Sequence, residues 1–133
     1  MVSNTGPMDR KLRADAIVET AAQQMRQLLR EAVALLDPFP AFPGSFFTLG
    51  IEVEGGLAED PERGCIVLGP DGELHELEIS IDFTRGQTDP VAARDETLKP
   101  LEFHPRDYIV YAYDALTRVT ELLMEQQAEK AEG

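Results

Sequence analysis

The sequence from Arg63 to Phe83, RGCIVLGPDGELHELEISIDF, decides how the rest of the chain can fold. An apolar run from Cys65 to Leu68 is separated by Gly-Pro-Asp-Gly from a run in which apolar and polar residues alternate. Proline presets φ at the second turn position, and Gly72 can take the positive φ that closes a short hairpin loop. The stretch is therefore predicted to be a β-hairpin in which Gly69 faces Glu73.

This register divides the hairpin side chains between two faces, because successive side chains of a strand point to opposite sides of the sheet. The more apolar face is predicted to be the core face, and it carries Cys65, Val67, His75, Leu77, Ile79, Ile81 and Phe83. The other face has an apolar patch near the turn and acidic residues at the far end, and it carries Ile66, Leu68, Leu74, Glu76, Glu78, Ser80 and Asp82.

Two long helices and one more strand are predicted around the hairpin. From Asp9 to Leu36, apolar residues recur at spacings of three and four, and Asp37-Pro38 ends the helix. This helix is longer than the sheet requires, which predicts either contact with a second subunit or a break near Thr20. The residues from Phe46 to Glu54 alternate as in a strand, and Pro105 to Glu129 has the apolar stripe of an amphipathic helix.

The link from Thr84 to His104 is long for a structureless connection in a compact domain. Asp89 followed by Pro90 is typical of a helix start, so a short helix from Pro90 to Glu96 is predicted. Leu98 to Phe103 is predicted to be an extended edge segment. In the helix that follows, Val110 and Tyr113 lie off the apolar stripe, which predicts that they contact this link or a partner.

The element order α-β-β-β-α predicts a two-layer α+β domain over residues 9–130, with residues 1–8 as a tail. Both helices are predicted to cover the core face of a three-stranded antiparallel meander. The alternative is that the C-terminal helix covers the second face and makes three layers. In the two-layer arrangement, an apolar patch stays exposed and is typical of an interaction site. This predicted interface consists of Phe46, Ile66, Leu68 and Leu74. A homodimer is predicted through this patch or through the long first helix.

The charge of the chain is strongly negative and unevenly distributed. The 133 residues carry a net charge of −13, and residues 52–83 hold ten acidic residues and one basic residue. This balance argues against nucleic acid as a partner, which needs a basic footprint, and against docking on anionic lipid. It favours a protein partner that is bound by an acidic sheet face or by the 84–104 loop. The carboxylates of that predicted face are Glu52, Glu54, Glu76, Glu78 and Asp82.

The location of the protein is predicted to be cytoplasmic. The chain has one cysteine and hence no internal disulfide, which favours a reducing compartment. The N-terminal residues have no apolar stretch typical of a secretory signal, and no apolar run approaches the ~20 residues of a membrane helix.

No motif for catalysis or for binding a cofactor is present in the sequence. Cys65, His75 and His104 are too few for a structural zinc site, so no metal is predicted. The leading hypothesis is a non-catalytic protein-interaction or regulatory module. One alternative is an acidic inhibitor of a basic enzyme, similar in kind to an immunity protein. Another is an enzyme or a small-molecule-binding protein with a pocket between the 84–104 loop and the helices, formed by Arg85, Arg94, His104 and Asp107.

Overall fold

The computed structural model describes residues 6–45, 48–54, 65–81 and 94–132. These residues form an α+β fold with two long helices, α1 (Asp9–Ala34) and α2 (Pro105–Glu132). Its antiparallel sheet has the order β1-β2-β3-β4 and consists of β1 (Ile51–Glu52), β2 (Cys65–Leu68), β3 (Leu74–Ile81) and β4 (Arg94–Pro100). The predicted α+β class is confirmed, with four strands instead of three.

The hairpin of β2 and β3 has the predicted register, with Cys65 opposite Leu77. The backbone N–H of Gly69 donates to the carbonyl of Glu73 at 3.0 Å, and Gly72 has a φ of +80°. This positive φ is the conformation for which the turn needs glycine. Local turn chemistry is therefore enough to fix both the hairpin and its register.

The two helices pack on the sheet face that was predicted to be exposed. Ile66, Leu68 and Leu74 have exposed fractions of 7%, 0% and 2%, and they belong to the main core. The prediction that these three side chains form an exposed interface is wrong. Their partners in that core include residues of β1, α1 and α2, namely Ile51, Leu29, Val33, Tyr111, Ala112, Ala115 and Val119.

The opposite face is covered near the turn by the proline-rich connector that follows α1. Phe42 of this connector is buried in a second cluster with Val67 and Leu77, and Leu98 packs against them. The chain just before β1 also comes very close to this face, since a Cβ on Gly50 would lie 2.2 Å from Cγ1 of Val67. The connector thus takes the place on this face that the helices were predicted to occupy. Further along the same face Ile79, also predicted to be core, is 41% exposed.

The outer strands differ from the prediction at both edges of the sheet. β1 comprises only Ile51–Glu52, although Ala41 and Leu49 form an isolated bridge nearby. The predicted helix from Pro90 to Glu96 is wrong over residues 94–96, because these belong to β4 and pair with β3. β3 is eight residues long, and β2, which has four residues, pairs with one side of it. Pairing with β4 satisfies the backbone groups on the other side of β3, which would otherwise be left at an open edge. The earlier part of that predicted helix, together with Phe46, Asp82 and Arg85, lies outside the described residues.

The two helices run in the same direction. The backbone N–H of Asp37, just after α1, donates to Oε1 of Gln126 at 3.0 Å, and Nε2 of Gln126 donates to the carbonyl of Pro38 at 3.0 Å. At the other end, the start of α1 lies across a cleft from His104 and Arg106. The helix α1 is continuous, so the alternative of a break near Thr20 is not observed.

Candidate interaction surface

The helix α1 carries two apolar stripes, of which one is buried and one is exposed. Ala22, Leu29, Val33 and Leu36 form the inner stripe and lie in the core. A second set of positions, 17, 21, 24, 28, 31 and 35, follows the alternating steps of four and three that place side chains along one face of a helix. Apolar residues at four of these positions form what we call the α1 outer stripe, which consists of Ile17, Ala21 and Leu28 of α1 and of its C-cap residue, Leu35.

The large side chains of the α1 outer stripe are strongly exposed. Ile17 and Leu35 are each 69% exposed and Leu28 is 48% exposed. Single exposed apolar residues are normal on a protein surface, but three at this spacing between residues 17 and 35 form a seam, which Gln24 and Glu31 interrupt. An a/d seam of this kind is the surface by which helices pack against one another.

The first turns of α1 extend beyond the core of the protein. Every residue from Arg10 to Ile17 is exposed, and Leu12, which lies on the other side of the helix from the outer stripe, is 61% exposed. This part of the helix is held by ion pairs along its own surface, between Lys11 and Asp15 and, at 3.1 Å, between Arg13 and Asp9. Such exposed pairs stabilise a helix by only about 0.3–0.5 kcal/mol each, so they do not explain its length.

The charge of α1 differs from that of the rest of the chain. It holds five basic and four acidic residues, a net charge of +1, whereas the whole chain has −13 and the remaining residues therefore −14. Two copies that approach through α1 thus avoid most of the like-charge repulsion that other pairings of acidic chains would meet.

The predicted acidic sheet face is not assembled as expected. Glu76 lies opposite Ile66 and therefore on the helix side of the sheet, whereas Glu52 lies opposite Val67 and therefore on the other side. Glu78 forms an ion pair with Lys99 at 2.9 Å, and this contact raises the pKa of the lysine.

Glu54 is also separate from the sheet carboxylates. Its backbone N–H donates to Oδ2 of Asp114 at 2.8 Å, and its carboxylate lies 3.8 Å from Arg118. The described members of the predicted acidic face thus point to different sides of the sheet or have basic neighbours. The reason is the pairing of β1 with β2, which sequence periodicity within one strand cannot supply.

The residues of the alternative pocket are likewise separated. His104 lines a cleft of 430 Å³ between the start of α1 and the start of α2, together with Lys11, Asp15 and Arg106. Its Nδ1 accepts a hydrogen bond from the backbone N–H of Arg106 at 3.2 Å. The lining holds charges of both signs, and Lys11 and Asp15 are already paired.

The other predicted pocket residues do not complete that cleft. Arg94 belongs to β4, and Asp107 in the first turn of α2 is not part of the described cleft lining. Arg85 lies outside the described residues. The described lining of the cleft brings no serine, threonine or cysteine beside His104.

A cluster that the sequence pattern did not predict joins the hairpin turn to α1. The carboxylate of Glu73 lies 3.0 Å from Nε of Arg30 and 3.4 Å from Nε of Arg26. The Arg26 guanidinium also lies 4.8 Å from the ring centre of Tyr108, and burial raises the pKa of the Tyr108 hydroxyl. A Cβ on Gly72 would come within 3.0 Å of the Arg30 backbone, so the turn packs directly on the helix. Two arginines one turn apart are a visible sequence signal, but the position of their partner depends on tertiary packing.

Within the part of the chain that the structure describes, no group of three or more histidine, cysteine, aspartate or glutamate side chains is arranged to hold a metal ion. In the same part, no helix combines the length and the apolar character needed to span a membrane. Comparisons of the chain with protein-family models, with curated proteins and with solved structures found no match.

Proposed function

We propose that this protein is a non-catalytic interaction module that acts as a homodimer, with the α1 outer stripe as the contact between the two copies. The single observation that carries the proposal is the exposure of Ile17, Leu28 and Leu35 at heptad spacing on a helix that already buries its other stripe. An exposed apolar seam of this kind costs solubility in a monomer and is stabilised when another helix covers it.

A second copy of the chain is the occupant that the charge of α1 favours. The helix is nearly neutral, and its first half mixes both signs, so the same surface can meet itself without a large repulsion. A two-fold pairing of this type is the commonest arrangement in homo-oligomers. In an antiparallel pair that is centred on the stripe, Ile17 of one copy lies opposite Leu35 of the other. Gln24 then lies opposite Leu28 and Glu31 opposite Ala21, so the apolar contacts are concentrated at the two ends.

The test is the oligomeric state of the purified chain, measured by sedimentation velocity over a concentration series. The wild-type chain is expected to sediment as a dimer at tens of micromolar. The variant Ile17→Glu with Leu28→Glu should sediment as a monomer, because each change removes about 1.5–3 kcal/mol of apolar burial from each copy and adds a charge to the contact.

The matched control is Leu12→Glu. This side chain lies on the same helix and has a similar exposure, but it points away from the outer stripe. The control should remain a dimer, and circular dichroism should show the same helix content in all three proteins. A wild-type chain that is monomeric at high micromolar concentration, or a Leu12→Glu variant that dissociates as readily as the double variant, would overturn the proposal.

A further inference from the structure

We infer that the solvent-facing side of α2 is a docking surface for a basic amphipathic helix of another protein; this inference rests on the proposed function as an interaction module but not on the dimer contact. Five positions of α2, 110, 113, 117, 120 and 124, follow alternating steps of three and four and lie opposite its buried side. We call this surface the α2 outer stripe, and it consists of Val110, Tyr113, Thr117, Thr120 and Met124.

The α2 outer stripe is uncharged and exposed. Tyr113 is 69%, Met124 65% and Val110 42% exposed. The two threonines have satisfied hydroxyl groups, since Oγ1 of Thr117 donates to the carbonyl of Tyr113 at 2.9 Å and Oγ1 of Thr120 to that of Leu116 at 2.7 Å. A partner can therefore cover both threonines without leaving an unpaired hydroxyl, which would cost about 1–3 kcal/mol.

Charge selects the chemistry of the partner. The whole of α2 holds six acidic and three basic residues, a net charge of −3, and four of the acidic residues lie from Glu121 to Glu132. A basic partner that lies along α2 would meet this negative charge favourably, whereas a second copy of an acidic chain would add to it. Glu121 and Glu125 lie along one side of the apolar positions, and Arg118 lies on the same side, where it is paired with Asp114 at 3.2 Å.

The length of the α2 outer stripe fits a single bound helix. From residue 110 to residue 124, the stripe is about 21 Å long at 1.5 Å per residue. This length matches an amphipathic helix of roughly four turns, and recognition through apolar anchors at i, i+3, i+4 and i+7 is a common mode of helix binding. The rest of the surface supplies an aromatic and a methionine side chain, and both residue types are enriched in the centre of interfaces.

The probe for the experiment is a synthetic, fluorescently labelled peptide of about four turns, with leucine at i, i+3, i+4 and i+7 and lysine elsewhere. A peptide of identical composition in scrambled order has the same charge without the apolar face. Fluorescence anisotropy should show saturable binding of the amphipathic peptide, with a Kd below about 100 μM, and at least about tenfold weaker binding of the scrambled one.

Two variants separate the apolar and the electrostatic parts of the site. Tyr113→Ser with Met124→Ser, which changes no charge, should weaken binding at least about tenfold, and Glu121→Gln with Glu125→Gln should weaken it and reduce its dependence on salt. The inference is overturned if both peptides bind equally well, if no saturation is seen, or if neither variant changes the Kd.

The dimer variant described above distinguishes this inference from the dimer proposal. Ile17→Glu with Leu28→Glu leaves the α2 outer stripe intact, so it should become monomeric and still bind the amphipathic peptide. Conversely, Tyr113→Ser with Met124→Ser should lose the peptide and remain dimeric in sedimentation. Circular dichroism of each variant should match that of the wild type, which shows that a lost signal comes from the surface and not from unfolding.

Discussion

Truncation of Leu68 provides a direct test of which sheet face is the core. Leu68 has no exposed surface, lies between Ile51 and Leu74 on the neighbouring strands, and is covered by both helices. A cavity at such a site can collapse little, so Leu68→Ala is expected to lower the free energy of unfolding by about 3–5 kcal/mol. Ile79 is 41% exposed, and Ile79→Ala should remove only about 1 kcal/mol, because much of its side chain already meets water.

The variants are compared by unfolding in urea, with circular dichroism as the signal that monitors unfolding. With an m-value of about 1–2 kcal/mol per molar, the loss at Leu68 corresponds to a midpoint about 1.5–5 M lower, and the loss at Ile79 to a midpoint about 0.5–1 M lower. Leu68→Val provides a milder variant for the case in which the alanine variant does not fold. It should still lower the free energy of unfolding more than Ile79→Val does. If the Ile79 variants were the more damaging at both levels of truncation, the assignment of the helices to the Leu68 face would be wrong.

Three further predictions concern single contacts. Gly50→Ala should lower the melting temperature, because the new Cβ would lie 2.2 Å from Cγ1 of Val67, and overpacking of this kind costs about 1–3 kcal/mol; an unchanged melting temperature would contradict the close approach. Gln126→Ala removes two hydrogen bonds to the chain just after α1, so it should lower the free energy of unfolding by about 1–2 kcal/mol. It should also speed amide exchange in the last turn of α1, while the first turns of that helix serve as the internal control. Asp71→Asn should make the free energy of unfolding depend less on pH in the acidic range. Burial raises the pKa of Asp71, but hydrogen bonds from the backbone N–H of Glu73 and from His75 bring this pKa below its usual value. The aspartate therefore contributes stability above about pH 4 that is lost as the pH falls through its lowered pKa, and equal acid profiles for the variant and the wild type would argue against that contribution.

The hairpin was predictable because its determinants are local. The turn residues restrict the backbone, and the alternation of side chains then sets the register, which the pairing of Cys65 with Leu77 confirms. The choice of core face was not predictable in the same way. Both faces are apolar near the turn, so burial of either would satisfy the pattern. The choice depends on where the connector with Phe42 and the two helices pack, and these contacts are distant in sequence.

The candidate surfaces show the same division between local and distant information. The length of α1 predicted a helix that exceeds the sheet, and the off-stripe positions of Val110 and Tyr113 predicted contacts outside the core. Periodicity alone could not tell which of the two apolar stripes of α1 is buried, because residues 17, 21 and 28 and residues 22, 29 and 33 are both separated by steps of four and seven. The acidic face failed for a related reason, since the side to which Glu52 points depends on its pairing with Val67.

The two proposed surfaces are compatible because they lie on different helices. A dimer that is held by the α1 outer stripe leaves the α2 outer stripe of each copy available, so the dimer would present two docking surfaces. A ligand that carries two basic helices could then bind with a higher apparent affinity than either helix alone, provided that its linker spans the distance between the surfaces. This gain would vanish in the monomeric α1 variant even though each single site is intact. The near-neutral helix α1 and the acidic helix α2 would in that way have separate roles, one in assembly and the other in the choice of partner.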